Sequence, residues 1–282
     1  MEQKTIQQNI FLEGIGLHSG DMVKMVLKPS AVDTGIVFRR VDLIPFVDIK
    51  VTPENVKEAV MCTLLSNGKE GVSTIEHLMS ALSVFEIDNL LIEVDAAEVP
   101  VLDGSSIQFI NALEQCGSVE QNKQRRIIKI LDTIRVEDGD KFAEVSPSKI
   151  TKYQFEIDFD HPVISATPSR AVFSGGVGDY KNNIARARTF GYVEELEYLK
   201  ANNLGKGASL DNAVGVSKTG VLNEGGLRYP DEFVKHKLLD AIGDFYVGGA
   251  ILGNFNCYKS GHKLNNRLLL TLLEQSDRWI LI

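Results

Sequence analysis

Three of the five histidines in this 282-residue chain lie in stretches that can do chemistry. In EFVKHKLLDAIGDFY (232–246), His236, Asp240 and Asp244 recur every four residues. At about 100° per residue they fall within one arc of a helix, where side chains at i and i+4 can share a metal ion. Val234, Leu238, Ala241, Ile242 and Phe245 form an apolar stripe on the other side. Read locally, such a polar line is more often the wet side of a surface helix. In STIEHL (73–78), Glu76 precedes His77 and could act as a general base beside a metal ligand. Ser73-x-x-Glu76 also fits a capping box, and His77 also fits a partly buried histidine near a helix start. In YKSGHKLNN (258–266), His262 sits in a Gly-containing stretch. Its loop character would let it reach a site, or leave it exposed in solvent with Lys259 and Lys263. A catalytic zinc wants about three protein ligands and one open position, so several of these stretches must converge.

The elements that would carry them can be read from the sequence pattern. Pro230-Asp231-Glu232 is a helix start and Gly248-Gly249 a stop. Ile75, Leu78, Met79, Leu82 and Phe85 have the spacing of an amphipathic helix. NLLIEVD (89–95) reads as a strand, and VPVLDGSSIQFINALEQCG as a turn leading into a second helix. Val23 to Leu27 and Gly35 to Arg39 read as strands separated by Pro-Ser and Asp-Thr-Gly turns. The polar GSVEQNKQRR (117–126) reads as an interdomain linker. Strands follow at 127–131, 142–145 and 153–159, then glycine-rich turns. There is no regular βαβ rhythm, so the expected fold is α+β. The expected domains are 1–120, with Glu76 and His77, and 121–282, with His236, Asp240 and His262.

Composition narrows the function classes. The chain is 44% hydrophobic and 24% charged, ordinary for a globular protein. A net charge of -8 argues against a nucleic-acid partner, which needs a basic footprint. Cys62, Cys116 and Cys257 are odd in number and far apart, which fits a reducing cytoplasm better than a disulfide framework. MEQKTIQQNI lacks the build of a signal peptide. The run VGGAIL (247–252) is far short of the roughly 20 residues that span a bilayer, although contact with a membrane surface stays open.

Taken together, STIEHL (73–78), EVPVLDGSS (98–106), ARTFG (187–191), GGLRYPDEFVKHKLLDAIGD (225–244) and YKSGHKLNN (258–266) resemble the zinc-dependent UDP-3-O-acyl-N-acetylglucosamine deacetylases of lipid A synthesis. The likeness runs in the same order from near Ile10 to near the C-terminus. It implies two similar α+β domains, each a sheet layered against helices, with the active site between them. It also implies removal of the N-acetyl group from UDP-3-O-acyl-N-acetylglucosamine with one zinc ion per chain. His77, His236 and Asp240 match the zinc ligands. Glu76 matches the general base, and His262 the general acid and electrostatic stabiliser. Asp244 matches the carboxylate that holds that histidine charged, and Thr189 the hydroxyl at the oxyanion. Lys237 matches a substrate-contacting lysine. Phe159, Phe190 and Lys259 resemble groups that meet the substrate, the uridine and its diphosphate among its parts. Residues 191–221 match an insert that forms a passage for the acyl chain. Leu196, Leu199, Leu204 and Leu210 could line that passage, or form a small core under a loop. A non-catalytic binder of lipid-linked nucleotides and a zinc hydrolase of another acylated sugar are the rival readings.

Overall fold

The computed structural model describes residues 1–282. Two five-stranded sheets form its frame. In the first, the strands lie in the order Ile10–Ile15, Met22–Pro29, Leu90–Val94, Ile36–Arg40, Val47–Lys50. Successive pairings are antiparallel, antiparallel, parallel and antiparallel. The second sheet has the order Ile134–Asp138, Lys141–Ser146, Asn254–Tyr258, Lys152–Glu156, Arg170–Phe173. Its pairings follow the same sequence of directions. The fold is therefore α+β with one topology used twice. Alternation explains the strands: Val23, Met25 and Leu27 point into the core while Lys24 and Lys28 do not.

Seven helices complete the molecule: α1 (Glu76–Val84), α2 (Ile107–Cys116), α3 (Pro162–Ser165), α4 (Val177–Asn183), α5 (Leu196–Ala201), α6 (Glu232–Tyr246) and α7 (His262–Glu274). α2 touches α1 and the strand Ile10–Ile15, while α6 and α7 lie on the second sheet. α1 packs directly against α6, so the helices of the two halves meet face to face. Both are covered on nearly every side: α1 is buried from Glu76 through Leu82. The polar line of α6, which local pattern reads as solvated, is thus inside the protein. Leu78, Met79, Leu82, Leu238, Ile242 and Phe245 belong to one apolar core shared by both halves.

Most of the stretch expected to be the interdomain linker is regular structure. Ser118–Gln124 is a strand, paired antiparallel with Glu2–Ile6. Its side chains are mostly exposed, so backbone pairing holds it and no hydrophobic period marks it in the sequence. Ile134–Asp138 is a strand that the pattern did not announce. We propose that the two domains divide within the Ser118–Gln124 ribbon, close to residue 120.

Gly243 shows how tightly the halves join. A Cβ there would lie 2.0 Å from the Glu76 carbonyl oxygen and 3.0 Å from the Ser80 nitrogen. Only hydrogen lets α6 approach the first turns of α1 this closely. Gly243→Ala is expected to lower unfolding free energy by about 1–3 kcal/mol through overpacking. Chemical denaturation checks this; an unchanged midpoint would show that the helix contact yields freely.

Candidate metal centre and active site

The polar line of α6 faces α1, not water. His236, Asp240 and Asp244 retain 3%, 4% and 4% of their exposure, and Glu232, one turn earlier on the same line, retains none. Buried groups of this kind need specific partners. The structure supplies a different one for each.

His77, His236 and Asp240 converge, with their ligand atoms all within 4.8 Å of one another. Asp240 Oδ1 lies 3.5 Å from His77 Nε2 and 3.4 Å from His236 Nε2. A tetrahedron with metal–ligand bonds of about 2.1 Å has edges of about 3.4 Å, so these separations suit a shared ion. Asp240 Oδ1 is buried and accepts no hydrogen bond, the state expected of an atom reserved for a cation. His236 Nδ1 meets the Ala187 carbonyl oxygen at 3.1 Å, which leaves the Nε2 lone pair free to ligate. Burial pushes His236 down to about 3, so the ring is neutral, as a ligand must be. Burial opposes protonation of His77, but the Asp240 carboxylate beside it raises it overall. That proton is the one a divalent cation would displace. Burial opposes ionisation of Asp240, yet the adjoining His236 ring and the Lys237 ammonium hold its carboxyl well below the usual carboxylate range. Lys237 reaches Asp240 Oδ2 at 2.7 Å, on the side away from the histidines' shared oxygen. Two histidines and one carboxylate make a donor set suited to a divalent cation.

Glu76, Asp244 and His262 form a second group beside the triad. The capping box does not form: α1 begins at Glu76 with no side-chain cap. Instead Glu76 Oε2 accepts the Thr63 backbone N–H at 3.1 Å, and its Oε1 lies 3.9 Å from His262 Nε2. Burial pushes the Glu76 carboxyl upward, opposed by the His262 and His77 charges. That is the direction a general base needs. His262 is not in a free loop, as the glycine suggested. It is the first residue of α7, with Gly261 marking the helix start. Its Nδ1 lies 2.9 Å from Asp244 Oδ2. Asp244 also accepts from Thr63 Oγ1 at 2.5 Å and Asn265 Nδ2 at 2.8 Å, and Ser260 Oγ secures Asn265 at 2.6 Å. Burial disfavours charge on His262, but Asp244 and then Glu76 outweigh it and raise it to about 9. The ring is therefore cationic at neutral pH.

The ARTFG stretch lies along α6 and is fixed there by an ion pair. Glu232 Oε1 accepts from Arg188 Nε at 2.8 Å and from the Arg188 backbone N–H at 3.0 Å, while Oε2 accepts from Arg188 Nη2 at 3.1 Å. Loss of one partner from a buried pair of this kind costs about 3–5 kcal/mol. The pair holds the Ala187 carbonyl against His236 and sets the position of Thr189. Thr189 N–H donates to the Gly104 carbonyl at 2.8 Å, and a Cβ on Gly104 would meet the Asn212 carbonyl oxygen at 1.9 Å. Gly104 also has φ +80°, so the LDGSS motif needs glycine on two counts. Phe190 continues the segment, its ring centroid 6.1 Å from that of His236 and 5.6 Å from that of Phe159. Lys259 stands apart from the triad. Its Nζ pairs with Asp140 at 2.6 Å and Asp158 at 3.3 Å, so an anionic ligand would compete with both.

Sequence reasoning passed over Thr63, Asn265, Arg188 and the Ala187 carbonyl that meets His236 Nδ1. MCTLL carries no local signal for Thr63. Asn265 could have been found from its i+3 spacing to His262, and Glu232 from its i−4 spacing to His236.

Beside Thr189, the insert encloses a cavity of about 320 Å³. Phe190–Tyr192, Val214–Ser217 and Gly220–Val221 make a small three-stranded sheet, and α5 covers one side. Leu196, Leu199 and Leu210 line the cavity, with Val193 and Leu222; Leu204 does not. A larger groove of about 710 Å³ lies between the halves around Tyr153, Tyr246 and Ile251, and contains none of the candidate site residues.

The chain is similar to known proteins over nearly its whole length. Residues 3–274 match the family described as UDP-3-O-acyl N-acetylglycosamine deacetylase. A protein of Francisella tularensis subsp. tularensis (strain WY96-3418), named UDP-3-O-acyl-N-acetylglucosamine deacetylase, is 61% identical over 282 residues, covering 99% of each chain. One of the same name from Xanthomonas oryzae pv. oryzae (strain PXO99A) is 48% identical over 279 residues, covering 99% of this chain and 92% of its own. The chain that holds this buried His-His-Asp cluster, the facing Glu–His–Asp group and the apolar cavity is matched over nearly its whole length and belongs to the UDP-3-O-acyl N-acetylglycosamine deacetylase family.

Proposed function

We propose that this protein hydrolyses the N-acetyl amide of UDP-3-O-acyl-N-acetylglucosamine, giving UDP-3-O-acyl-glucosamine and acetate, the committed step of lipid A synthesis. The observation that carries the reading is the convergence of His77, His236 and Asp240 beside an apolar cavity in a member of this family. The same features favour it over the two rivals. A binder without activity has no need of the buried Glu76–His262 pair, and the family's relatives carry this substrate in their name.

His77, His236 and Asp240 would hold zinc. When bound, the ion supplies Lewis acidity that polarises the amide carbonyl and lowers the pKa of water toward about 7. Glu76 takes the proton from the attacking water. The Thr189 hydroxyl and the cationic His262 meet the negative charge that grows on the carbonyl oxygen. The amine leaves with a proton from the Glu76–His262 pair, whose facing atoms are 3.9 Å apart. Lys237, half-buried beside Asp240, contacts the substrate. Phe159 and Phe190 offer ring faces to the nucleotide sugar, and Lys259 a charge to its diphosphate. The acyl chain enters the cavity of the insert, which matches the apolar lining there.

No helix is long and apolar enough to cross a membrane, and the three cysteines are unpaired. Both support a cytoplasmic setting, where a UDP-linked substrate is made available. The acyl chain also gives the protein a reason to touch a membrane surface transiently.

His77→Ala and His236→Ala are expected to lose bound zinc, whereas Glu76→Gln retains it and loses about 10²–10⁴-fold in kcat. Metal analysis paired with deacetylation of UDP-3-O-acyl-N-acetylglucosamine reads both. Near-normal turnover by Glu76→Gln would remove Glu76 from the base role. The pH profile tests the second group. His262 is raised to about 9, so a step that needs it protonated runs below that pH and fails as pH climbs through it. Asp244→Asn removes the principal raising charge, so the alkaline limb of kcat/KM is expected to move to lower pH. An unmoved limb would contradict the pairing.

A further inference from the structure

Thr63 touches every member of the Glu76–His262–Asp244 group, and no step described so far gives it a task. It lies in the loop between the short strands Val56–Lys57 and Leu64–Ser66 and is 2% exposed. Its backbone N–H donates to Glu76 Oε2 at 3.1 Å. Its hydroxyl oxygen lies 2.5 Å from Asp244 Oδ1 and 3.1 Å from His262 Nδ1. Side-chain hydroxyls bond most often to backbone or water. Here both partners are side chains, 181 and 199 positions away in the other half of the molecule.

The protons can be assigned. The hydroxyl has one to give, and the Asp244 carboxylate can only accept, so that proton goes to Oδ1. Oδ2 is left to His262 Nδ1 at 2.9 Å and Asn265 Nδ2 at 2.8 Å. The hydroxyl oxygen keeps its lone pairs, which the His262 Nδ1–H can reach. That N–H thus meets two acceptors, Asp244 on α6 and Thr63 from the first half. This matters because a histidine ring turns about its Cβ–Cγ bond in a broad well. One acceptor at Nδ1 lets the ring swing around it, whereas two fix the plane. With the plane fixed, Nε2 is aimed at Glu76 Oε1, 3.9 Å away. Glu76 in turn is held at its other oxygen by the N–H of the same threonine.

We propose that Thr63 is the positioning residue of the proton-transfer pair: its hydroxyl fixes the His262 ring while its backbone N–H fixes Glu76, so one residue keeps base and acid in register where the two halves meet. This rests on the deacetylase reading above. Glu76 and His262 stand on α1 and α7, helices of different halves, and only side-chain contacts set their separation. A misplacement of about 1 Å in such a constellation can cost about 10²-fold in rate. Thr63 is not among the residues lining the acyl cavity, and its three contacts are all with groups of the pair and its support. It therefore acts on the reaction through His262.

A double-mutant cycle with the zinc-loaded enzyme and UDP-3-O-acyl-N-acetylglucosamine tests this. Thr63→Val keeps the side-chain shape and the N–H to Glu76 but removes the hydroxyl. It is expected to lower kcat about tenfold to a hundredfold, the worth of one hydrogen bond to a charged acceptor, with KM changed less than about twofold. Zinc content should be unchanged, and the assay is run below the unfolding range measured for each variant. In a His262→Ala background the same substitution should cost less than about twofold, because the group it positions is gone. Equal losses in both backgrounds would overturn the proposal and make the hydroxyl a structural bond only. Undiminished kcat for Thr63→Val would overturn it as well. If Thr63→Val or the double variant is unfolded or too slow to measure, Thr63→Ser against Thr63→Ala decides. The serine, which keeps the hydroxyl, should stay within about threefold of the natural kcat while the alanine falls about tenfold or more; equal kcat for the two overturns the proposal. Failure of the natural enzyme to deacetylate this substrate at all would instead remove the underlying deacetylase reading.

Discussion

Everything at the centre of this protein follows from one line of polar side chains being buried between two helices. Glu232, His236, Asp240 and Asp244 occupy the face of α6 that meets the first half of the molecule. In water they would need no help. Out of water, charge without a partner is far more costly than any single packing contact. Each member therefore organises something around it. Glu232 draws in Arg188, and with it the stretch from Ala187 to Phe190. His236 and Asp240 converge with His77 from α1 on a space suited to a cation. Asp244 gathers Thr63, His262 and Asn265.

The repeated sheet topology makes this possible. Each half presents helices on one face of a five-stranded sheet, and the two helical layers meet. α1 brings Glu76 and His77, α6 brings the polar line, and the start of α7 brings His262. Side chains on three rigid helices keep the geometry within the narrow tolerance that a metal site and a proton-transfer pair require. Under the proposed function, the softer task of accepting an alkyl chain would fall to the insert, built from short strands and one short helix. Rigidity and tolerance are thus assigned to different parts of one chain.

Much of this was legible in the sequence, for reasons that differ residue by residue. The periodicity of α1 and α6 was visible because an apolar stripe at helical spacing leaves a strong mark. The same pattern misjudged their other faces, since amphipathicity cannot tell water from a polar, partnered interior. The resemblance of five motifs pointed to His77, His236 and Asp240 as a set, and the structure brings them together. Thr63 left no trace, because its role comes from meeting Asp244 across 181 positions of sequence. The ribbon at Ser118–Gln124 was hidden for the opposite reason: its order comes from backbone pairing with Glu2–Ile6, and its exposed side chains carry no period. The pairing of Lys259 with Asp140 and Asp158 was equally invisible, because the partners lie 119 and 101 positions away.

The central claim is that three side chains from two helices hold one zinc ion at the point where the halves meet. Anomalous diffraction from crystals of the purified protein at the zinc absorption edge tests it most directly. The account predicts a single strong peak about 2.0–2.2 Å from His77 Nε2, His236 Nε2 and an oxygen of Asp240. No peak there, or a zinc ion held by other residues while these three keep apart from it, would contradict it.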